Sequence, residues 1–91
     1  MAERRSLLGA ARTELRVELR RIDPAKDMRR FYRLDVQPDL FGGVLLMKEW
    51  GRVGAQGRMV AERYEDEAHA LDALQRHAER KRRRGYAARF P

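Results

Sequence analysis

The fold is decided by residues 44–64, which read VLLMKEWGRVGAQGRMVAERY. The first four residues are all apolar, which is typical of a strand that lies inside a sheet rather than at its edge. Glycines at positions 54 and 57 predict a turn, and residues 58–64 return as a second strand, so we expect a β-hairpin here. The first strand of this hairpin leads into the chain's only tryptophan, Trp50, which stands close to Arg52.

Two further strands are predicted upstream of this hairpin. Residues 15–19 alternate between apolar and charged, which indicates a half-buried strand, and Pro24 ends it because proline lacks a backbone donor. Residues 32–36 alternate in the same way and stop before Pro38. Between the two strands we expect a polar loop that runs through Arg30.

A single helix is predicted after the hairpin. Asp66 suits the N-cap position, and Gly85 suits the position just beyond the last turn. Small and apolar residues recur at steps of three and four, so one narrow stripe of the helix should pack on the sheet. The stripe consists of Ala68, Leu71, Leu74 and Ala78. The sequence therefore predicts an α+β fold, an antiparallel sheet of about four strands with one C-terminal helix packed on one face.

The chain is long enough for one small domain, which we expect over residues 15–91. Residues 1–14 lack strand alternation and form either one helical turn or a mobile arm. Their apolar stretch is too short for a secretory leader, and no window reaches a membrane-spanning length. Because cysteine is absent as well, we expect a cytoplasmic protein with no membrane contact.

Catalytic chemistry has few candidate residues. Ser6 and Thr13 are the only aliphatic hydroxyls, and no histidine is near either in sequence. His69 and His77 are about two helical turns apart, too far to share a metal ion without ligands from elsewhere. Neither a phosphate loop nor a dinucleotide motif is present. We therefore expect no enzyme activity, no catalytic residues, no metal site and no cofactor.

The charge of the chain indicates a class of partner. There are 21 basic and 14 acidic residues, for a formal net charge of +7, and all but three of the basic residues are arginine. Such an excess attracts polyanions, and arginine suits bidentate phosphate recognition. Genomic base composition can equally produce an arginine-rich chain, and acidic protein or RNA would be attracted by the same field. Charge alone does not choose between these partners.

Positions 48, 50 and 52 share one face of a strand, so Lys48, Trp50 and Arg52 are candidates for an aromatic-basic strip, with Gly51 between them. An indole offers a flat face to a base or sugar, and a guanidinium offers a planar fork to phosphate. The alternative is that Trp50 is a half-buried core residue and Arg52 its solvated neighbour.

The last helical turn is a second candidate for phosphate binding. It contains five consecutive basic residues, Arg80, Lys81, Arg82, Arg83 and Arg84. These cations either favour the helix dipole and stay solvated, or they lie along a phosphate backbone.

The motifs of this chain, taken in order, resemble a WGR domain. They are the run Trp50-Gly51-Arg52-Val53-Gly54, then Gly57-Arg58, a strand and a helix, and a closing segment from Lys81 to Tyr86. Such domains occur in poly(ADP-ribose) polymerases and as short stand-alone bacterial proteins. Residues 30–34 and 40–42 are similar to the bacterial versions, and the resemblance covers roughly residues 15–86.

The resemblance implies DNA binding at strand breaks. In the polymerases the motif tryptophan stacks near the broken end and the arginine makes polar contacts, so by match these roles fall on Trp50 and Arg52. The resemblance also implies a nucleic-acid contact for Tyr86, beside the expectation that it packs on the sheet. Zinc fingers, a helical regulatory domain and a transferase domain are missing here, so the polymerase activity does not carry over.

We therefore expect a non-catalytic DNA-binding module that prefers ends or nicks in duplex DNA. Arg52, Lys48 and the basic helix end would contact phosphates, and Trp50 would stack on an exposed terminus. The alternative is a protein-interaction module that uses the same tryptophan and arginine surface, because these residue types also dominate protein interfaces. Phosphate binding should weaken more steeply with salt than an aromatic protein interface does.

Overall fold

The computed structural model of the protein describes residues 16–88 and has an α+β architecture. The arm expected at residues 1–14 lies outside the described residues. The elements are β1 (Arg16–Asp23), β2 (Met28–Pro38), β3 (Val44–Arg52), β4 (Arg58–Tyr64), α1 (Glu67–Arg83) and β5 (Ala87–Ala88). The strands form one antiparallel sheet in the order β4-β3-β2-β1-β5. The predicted fold class is confirmed, and a two-residue fifth strand is added to the four expected.

A tight turn joins β1 to β2. Strand β1 ends at Asp23, as predicted, and Pro24–Lys26 form a single 3-10 turn. Asp23 pairs directly with Met28, so β2 begins at once after the turn. The prediction of a polar loop through Arg30 is wrong, because main-chain pairing with β1 holds this charged residue in the strand.

Strand β3 is an interior strand between β2 and β4, as its apolar run predicts. Val44 and Leu46 are buried beneath the helix, and Leu45 and Met47 are half-buried on the opposite face. A turn that contains Gly54, with φ +86°, leads back into β4 and confirms the predicted hairpin.

The two faces of the sheet differ in character. Helix α1 covers one of them, which we call the helix face, and the main core lies between helix and sheet. The buried core residues are Leu19, Tyr32, Leu34, Val36, Val44, Leu46, Ala70, Ala73, Leu74 and Ala78. On the other face, which we call the ladder face, Arg33 bonds Glu18 at 2.8 Å and Glu49 at 3.1 Å.

Both predicted ends of α1 are confirmed. The Asp66 carboxylate accepts a hydrogen bond from the backbone N–H of His69 at 2.9 Å and caps the first turn. At the other end Gly85 follows the C-cap residue Arg84 with φ +94°, a conformation that glycine adopts without strain.

The predicted contact stripe of α1 is wrong at one position. Leu74 and Ala78 are buried and Leu71 packs against the core, but Ala68 is exposed. At about 3.6 residues per turn, Ala68 lies about 120° around the helix from Leu74 and points away from the sheet. Ala70 and Ala73 are buried instead.

Candidate nucleic-acid interface

Trp50 lies on the helix face near the end of β3, directly opposite Tyr32 on β2. The two rings are stacked, with centroids 6.0 Å apart and planes 19° from parallel. Tyr32 is buried, whereas Trp50 is half-buried and packs against the margin of the core. Trp50 therefore has features of both expectations, since part of the indole packs on the protein and part is accessible.

Lys48 lies on the same face as Trp50, two residues further into the sheet. Its side chain is only 13% exposed, and its Nζ donates to Glu62 Oε2 at 2.9 Å. This hydrogen bond is the main cause of a lowered pKa at Glu62. Tyr64 Oη donates to the other oxygen of the same carboxylate at 3.1 Å. The charge of Lys48 is thus compensated inside the domain, and the expected strip reaches solvent only at Trp50 and Arg52.

Arg52 is the last residue of β3, and its side chain is 57% exposed. The guanidinium reaches the carbonyl and the carboxylate of Asp27, each at 3.5 Å, which is the outer limit of hydrogen bonding. Asp27 closes the turn between β1 and β2 with φ +50°. These weak contacts hold Arg52 beside the turn and leave most of its five donors available to a ligand.

Gly51 faces the ladder face, directly opposite Phe31. A Cβ at this position would lie 2.9 Å from the Gly57 Cα and 3.4 Å from the Phe31 ring. Glycine is needed here because the hairpin backbone and a buried aromatic ring approach each other closely. In this structure Gly51 therefore shapes the hairpin and adds no group to the surface around Trp50.

The end of helix α1 reaches the same region through Lys81. Its ammonium group lies 4.5 Å from the ring centroid of Tyr32 and 5.5 Å from that of Tyr86. Tyr86 packs against the core, and its N–H donates to the Lys81 carbonyl at 3.1 Å. The aromatic rings hold the cation by its attraction to their π faces. Lys81 thus joins the tryptophan–tyrosine stack to the helix end.

The five basic residues of the helix end fall into two groups. The first group is Arg80, Lys81 and Arg84. Partial burial lowers the pKa of Lys81, and the neighbouring cations Arg84 and Arg80 lower it further, so these charges act together. Arg82 and Arg83 instead share Glu79, at 3.7 and 3.6 Å. The first group lies next to the aromatic rings, since Lys81 contacts Tyr32 and Tyr86 and its pKa is lowered by Arg84 and Arg80.

Arg30 also belongs to this region, although it is not among the site residues predicted from the sequence. It lies directly opposite Arg52 on the neighbouring strand, and it is one of the cations that lower the pKa of Lys81. The alternation of residues 32–36, extended back by two positions, places Arg30 on the same face as Tyr32 and would have found it. We call the assembled surface the aromatic-basic end. It consists of Arg30, Tyr32, Trp50, Arg52, Arg80, Lys81, Arg84 and Tyr86.

Residues 16–88 offer no metal-binding cluster, since no group of three or more histidine, cysteine, aspartate or glutamate side chains is placed there to hold an ion. In the same part of the chain, no helix has the length and apolar character needed to cross a membrane.

Comparison with known proteins agrees with this geometry. The family model described as "WGR domain" matches residues 15–90. The uncharacterized protein y4dW of Sinorhizobium fredii (strain NBRC 101917 / NGR234) is 35% identical over 74 residues, a match that covers 81% of this chain and 36% of that protein. The chain thus spans about a third of the length of this curated relative. No solved structure matches the chain significantly.

The comparisons indicate a binding domain and no catalytic family. WGR domains are in general small nucleic-acid-binding modules. The match covers all of the described residues, among them the hairpin that carries Trp50, Gly51 and Arg52. The chain belongs to the WGR domain family.

Proposed function

We propose that the aromatic-basic end binds duplex DNA without catalysis and prefers strand ends or nicks. The observation that carries this proposal is the half-buried Trp50 beside several cations on one face of the sheet. A base inside an intact duplex is already stacked on its neighbours, whereas an end or a nick exposes a face that an indole can cover. The cations bind phosphates of the DNA backbone, which are present at ends and in intact duplex alike.

The structure supports a division of roles among these residues. Trp50 supplies the stacking surface, and buried Tyr32 holds the indole from behind at 6.0 Å between centroids. Arg52 and Lys81 flank the rings and bind phosphates. Lys48 acts through Glu62 and the strand rather than by contact with DNA, because its ammonium is already paired.

A surface built from tryptophan and arginine also suits a protein partner, so salt dependence is the first measurement. For a site that contacts phosphates, the logarithm of the DNA affinity should fall linearly with the logarithm of the salt concentration, with a slope of about −0.9 for each phosphate contact. An interface anchored by Trp50 in a protein pocket should show a much shallower slope. Failure of the parent protein to bind any DNA at low salt would favour the protein-interaction function.

The end preference is tested by replacing Trp50 with alanine. We expect this variant to lose roughly 1 to 3 kcal/mol of binding free energy on nicked or blunt duplex, and much less on closed circles. Arg52→Ala should weaken both by similar amounts, because a phosphate contact does not need an end. Affinities for the nicked and closed forms of one plasmid measure the difference directly.

Two variants control for damage to the fold. Trp50→Phe keeps an aromatic ring against Tyr32 and should keep most of the end preference. Phe41→Ala removes an aromatic ring that is 85% exposed at the turn between β2 and β3, at the opposite end of the sheet, and should change nothing. Equal losses by folded Trp50→Ala on nicked and closed DNA would contradict end recognition.

A further inference from the structure

Three arginines lie in one row across the sheet at the aromatic-basic end. Arg21 on β1 is directly opposite Arg30 on β2, and Arg30 is directly opposite Arg52 on β3. Directly paired residues of an antiparallel sheet point to the same face, and neighbouring strands are about 4.8 Å apart. The row therefore extends about 10 Å across the strands, on the helix face, starting beside Trp50.

The surroundings of two of these side chains place the row at the end of α1. A Cβ on Gly85, just past the helix, would lie 3.2 Å from Arg21 Nε. Arg30 is close enough to Lys81 for its charge to lower the pKa of that lysine. Arg21 and Arg30 thus lie beneath the helix terminus, next to the aromatic rings, and not on the ladder face.

The charge of this row is poorly compensated. On the ladder face, Arg20 and Arg33 are both paired with Glu18. Within residues 16–88 no carboxylate forms an ion pair with Arg21 or Arg30, and Arg52 reaches Asp27 only at 3.5 Å. Like charges directly opposite each other on paired strands destabilise a sheet. The free protein therefore carries an unfavourable row of three positive charges at the place where the stacking tryptophan is exposed.

We propose that Arg21, Arg30 and Arg52 form a phosphate-binding track that takes consecutive backbone phosphates of one DNA strand, leading from Trp50 across β2 to β1. This inference rests on the proposed DNA-binding function and adds the path of the strand over the protein. Phosphates compensate the row, and guanidinium groups bind them through paired N–H donors. When the end of a DNA strand stacks on Trp50, the phosphates that follow it contact this arginine row, which runs perpendicular to the β-strands.

A track of this kind predicts opposite effects on folding and binding. Arg30→Gln removes the middle charge and both like-charge contacts, so the free variant should melt at a higher temperature than the parent. The same variant should bind nicked duplex more weakly. If Arg30 served only the fold, its replacement would lower the melting temperature. If Arg30 only added to the general positive charge, its replacement would weaken DNA binding as much as the replacement of an arginine on the ladder face.

The chain offers a matched control in the adjacent residue. Arg29 and Arg30 are both exposed on β2 and both arginines, but Arg29 points to the ladder face. Arg29→Gln therefore removes the same charge from the neighbouring position of the same strand. Under the proposal it leaves the melting temperature and the salt slope close to those of the parent.

The experiment measures the affinity of the full chain for a nicked duplex from 50 to 200 mM salt, together with thermal melting. Arg30→Gln should flatten the logarithmic salt slope by about 0.9, so that its affinity deficit shrinks about 3.5-fold over this range. Arg21→Gln combined with Arg30→Gln should flatten it by about twice as much. Arg29→Gln should retain the parent slope.

Each outcome bears on a different claim. Equal slopes and equal losses for Arg29→Gln and Arg30→Gln would overturn the track and leave general attraction by charge. A lower melting temperature for Arg30→Gln would overturn the claim of an unfavourable row. A parent that does not bind at 50 mM salt would overturn the proposed function and the track together. If the end preference of the parent depends on Trp50, but Arg30→Gln keeps the parent affinity and salt slope, the track alone is overturned.

Discussion

At the scale of single residues, two lysines on one face of this protein are held in opposite ways. Lys48 is 13% exposed and bonds Glu62, so its charge is compensated within the domain. Lys81 lies against the rings of Tyr32 and Tyr86, and no carboxylate of residues 16–88 pairs with it. Aromatic faces orient a cation without neutralising it. Lys81 is therefore positioned and still available to a phosphate.

His77 on α1 should make the stability of the protein depend on pH. Burial lowers the pKa of His77 below its ordinary value of 6.5, and the cations Lys48 and Arg80 lower it further. The folded state therefore prefers neutral His77, so its contribution to stability is present above pH 6.5 and is lost as pH falls through the lower folded pKa. We expect the free energy of unfolding, measured with urea, to decrease between about pH 7 and pH 5.

Replacing His77 with glutamine isolates this effect. The variant should show a flatter dependence over the same range, because it lacks the imidazole whose pKa is lowered by folding. If parent and variant lose stability equally between these pH values, His77 is not the group responsible.

At the scale of elements, the sheet positions the residues of the site, and the packing of α1 stabilises the sheet. Leu74 is 2% exposed and packs from α1 into the main core. Leu74→Ala should cost about 2 to 5 kcal/mol of unfolding free energy, since a buried leucine leaves a cavity when truncated. Leu40→Ala is the matched control, because Leu40 is 96% exposed. Urea unfolding curves that coincide for the two variants would show that α1 is not docked as described.

The two groups of cations at the helix end give a second element-scale prediction. Arg80→Gln with Arg84→Gln should weaken DNA binding and flatten the salt slope, by up to about 0.9 for each phosphate that the variant no longer binds. Arg82→Gln with Arg83→Gln removes the same charge from residues that share Glu79 and should have a small effect. Binding titrations at several salt concentrations compare the two directly. Equal slopes would show that the whole helix end acts only through its net charge.

Strands β1 and β2 could be predicted because each buries one face, and the two-residue period is visible in residues 15–19 and 32–36. Strand β5 could not be predicted, since Ala87 and Ala88 carry no pattern and their pairing with β1 depends on where the helix ends. The exposure of Ala68 was missed for a related reason. Alanine is equally compatible with core and surface, so only the packed structure fixes the contact face of α1.

The candidate site was partly predictable from the sequence. The strand period correctly places Lys48, Trp50 and Arg52 on one face, but it does not tell how far the helix extends over that face. Lys48 proved to be covered, and its partner Glu62 comes from β4. Arg30 was missed because a charged run next to a proline turn resembles a loop. Pairing across strands, which assembled the arginine row, is not visible in one sequence.

At the scale of the whole molecule, charge is distributed unevenly over the sheet. On the ladder face Arg20 and Arg33 are paired with Glu18, and Arg33 also with Glu49, while the aromatic-basic end of the helix face keeps its cations largely uncompensated. A positive region of this kind attracts DNA over a distance and orients the domain before contact. The half-buried Trp50 lies inside that region, so under the proposed function the same surface attracts a duplex and then stacks on its end.

The fluorescence of Trp50 tests the central claim most directly, because it is the chain's only tryptophan. Nicked duplex is titrated into the parent protein at low salt, and the tryptophan emission is compared with the anisotropy of labelled DNA in the same samples. The account predicts that the emission changes and saturates at the same DNA concentration as the anisotropy, and that bound DNA protects the indole from acrylamide quenching. Saturable DNA binding with unchanged Trp50 emission and quenching would contradict it, because the DNA would then lie elsewhere on the molecule.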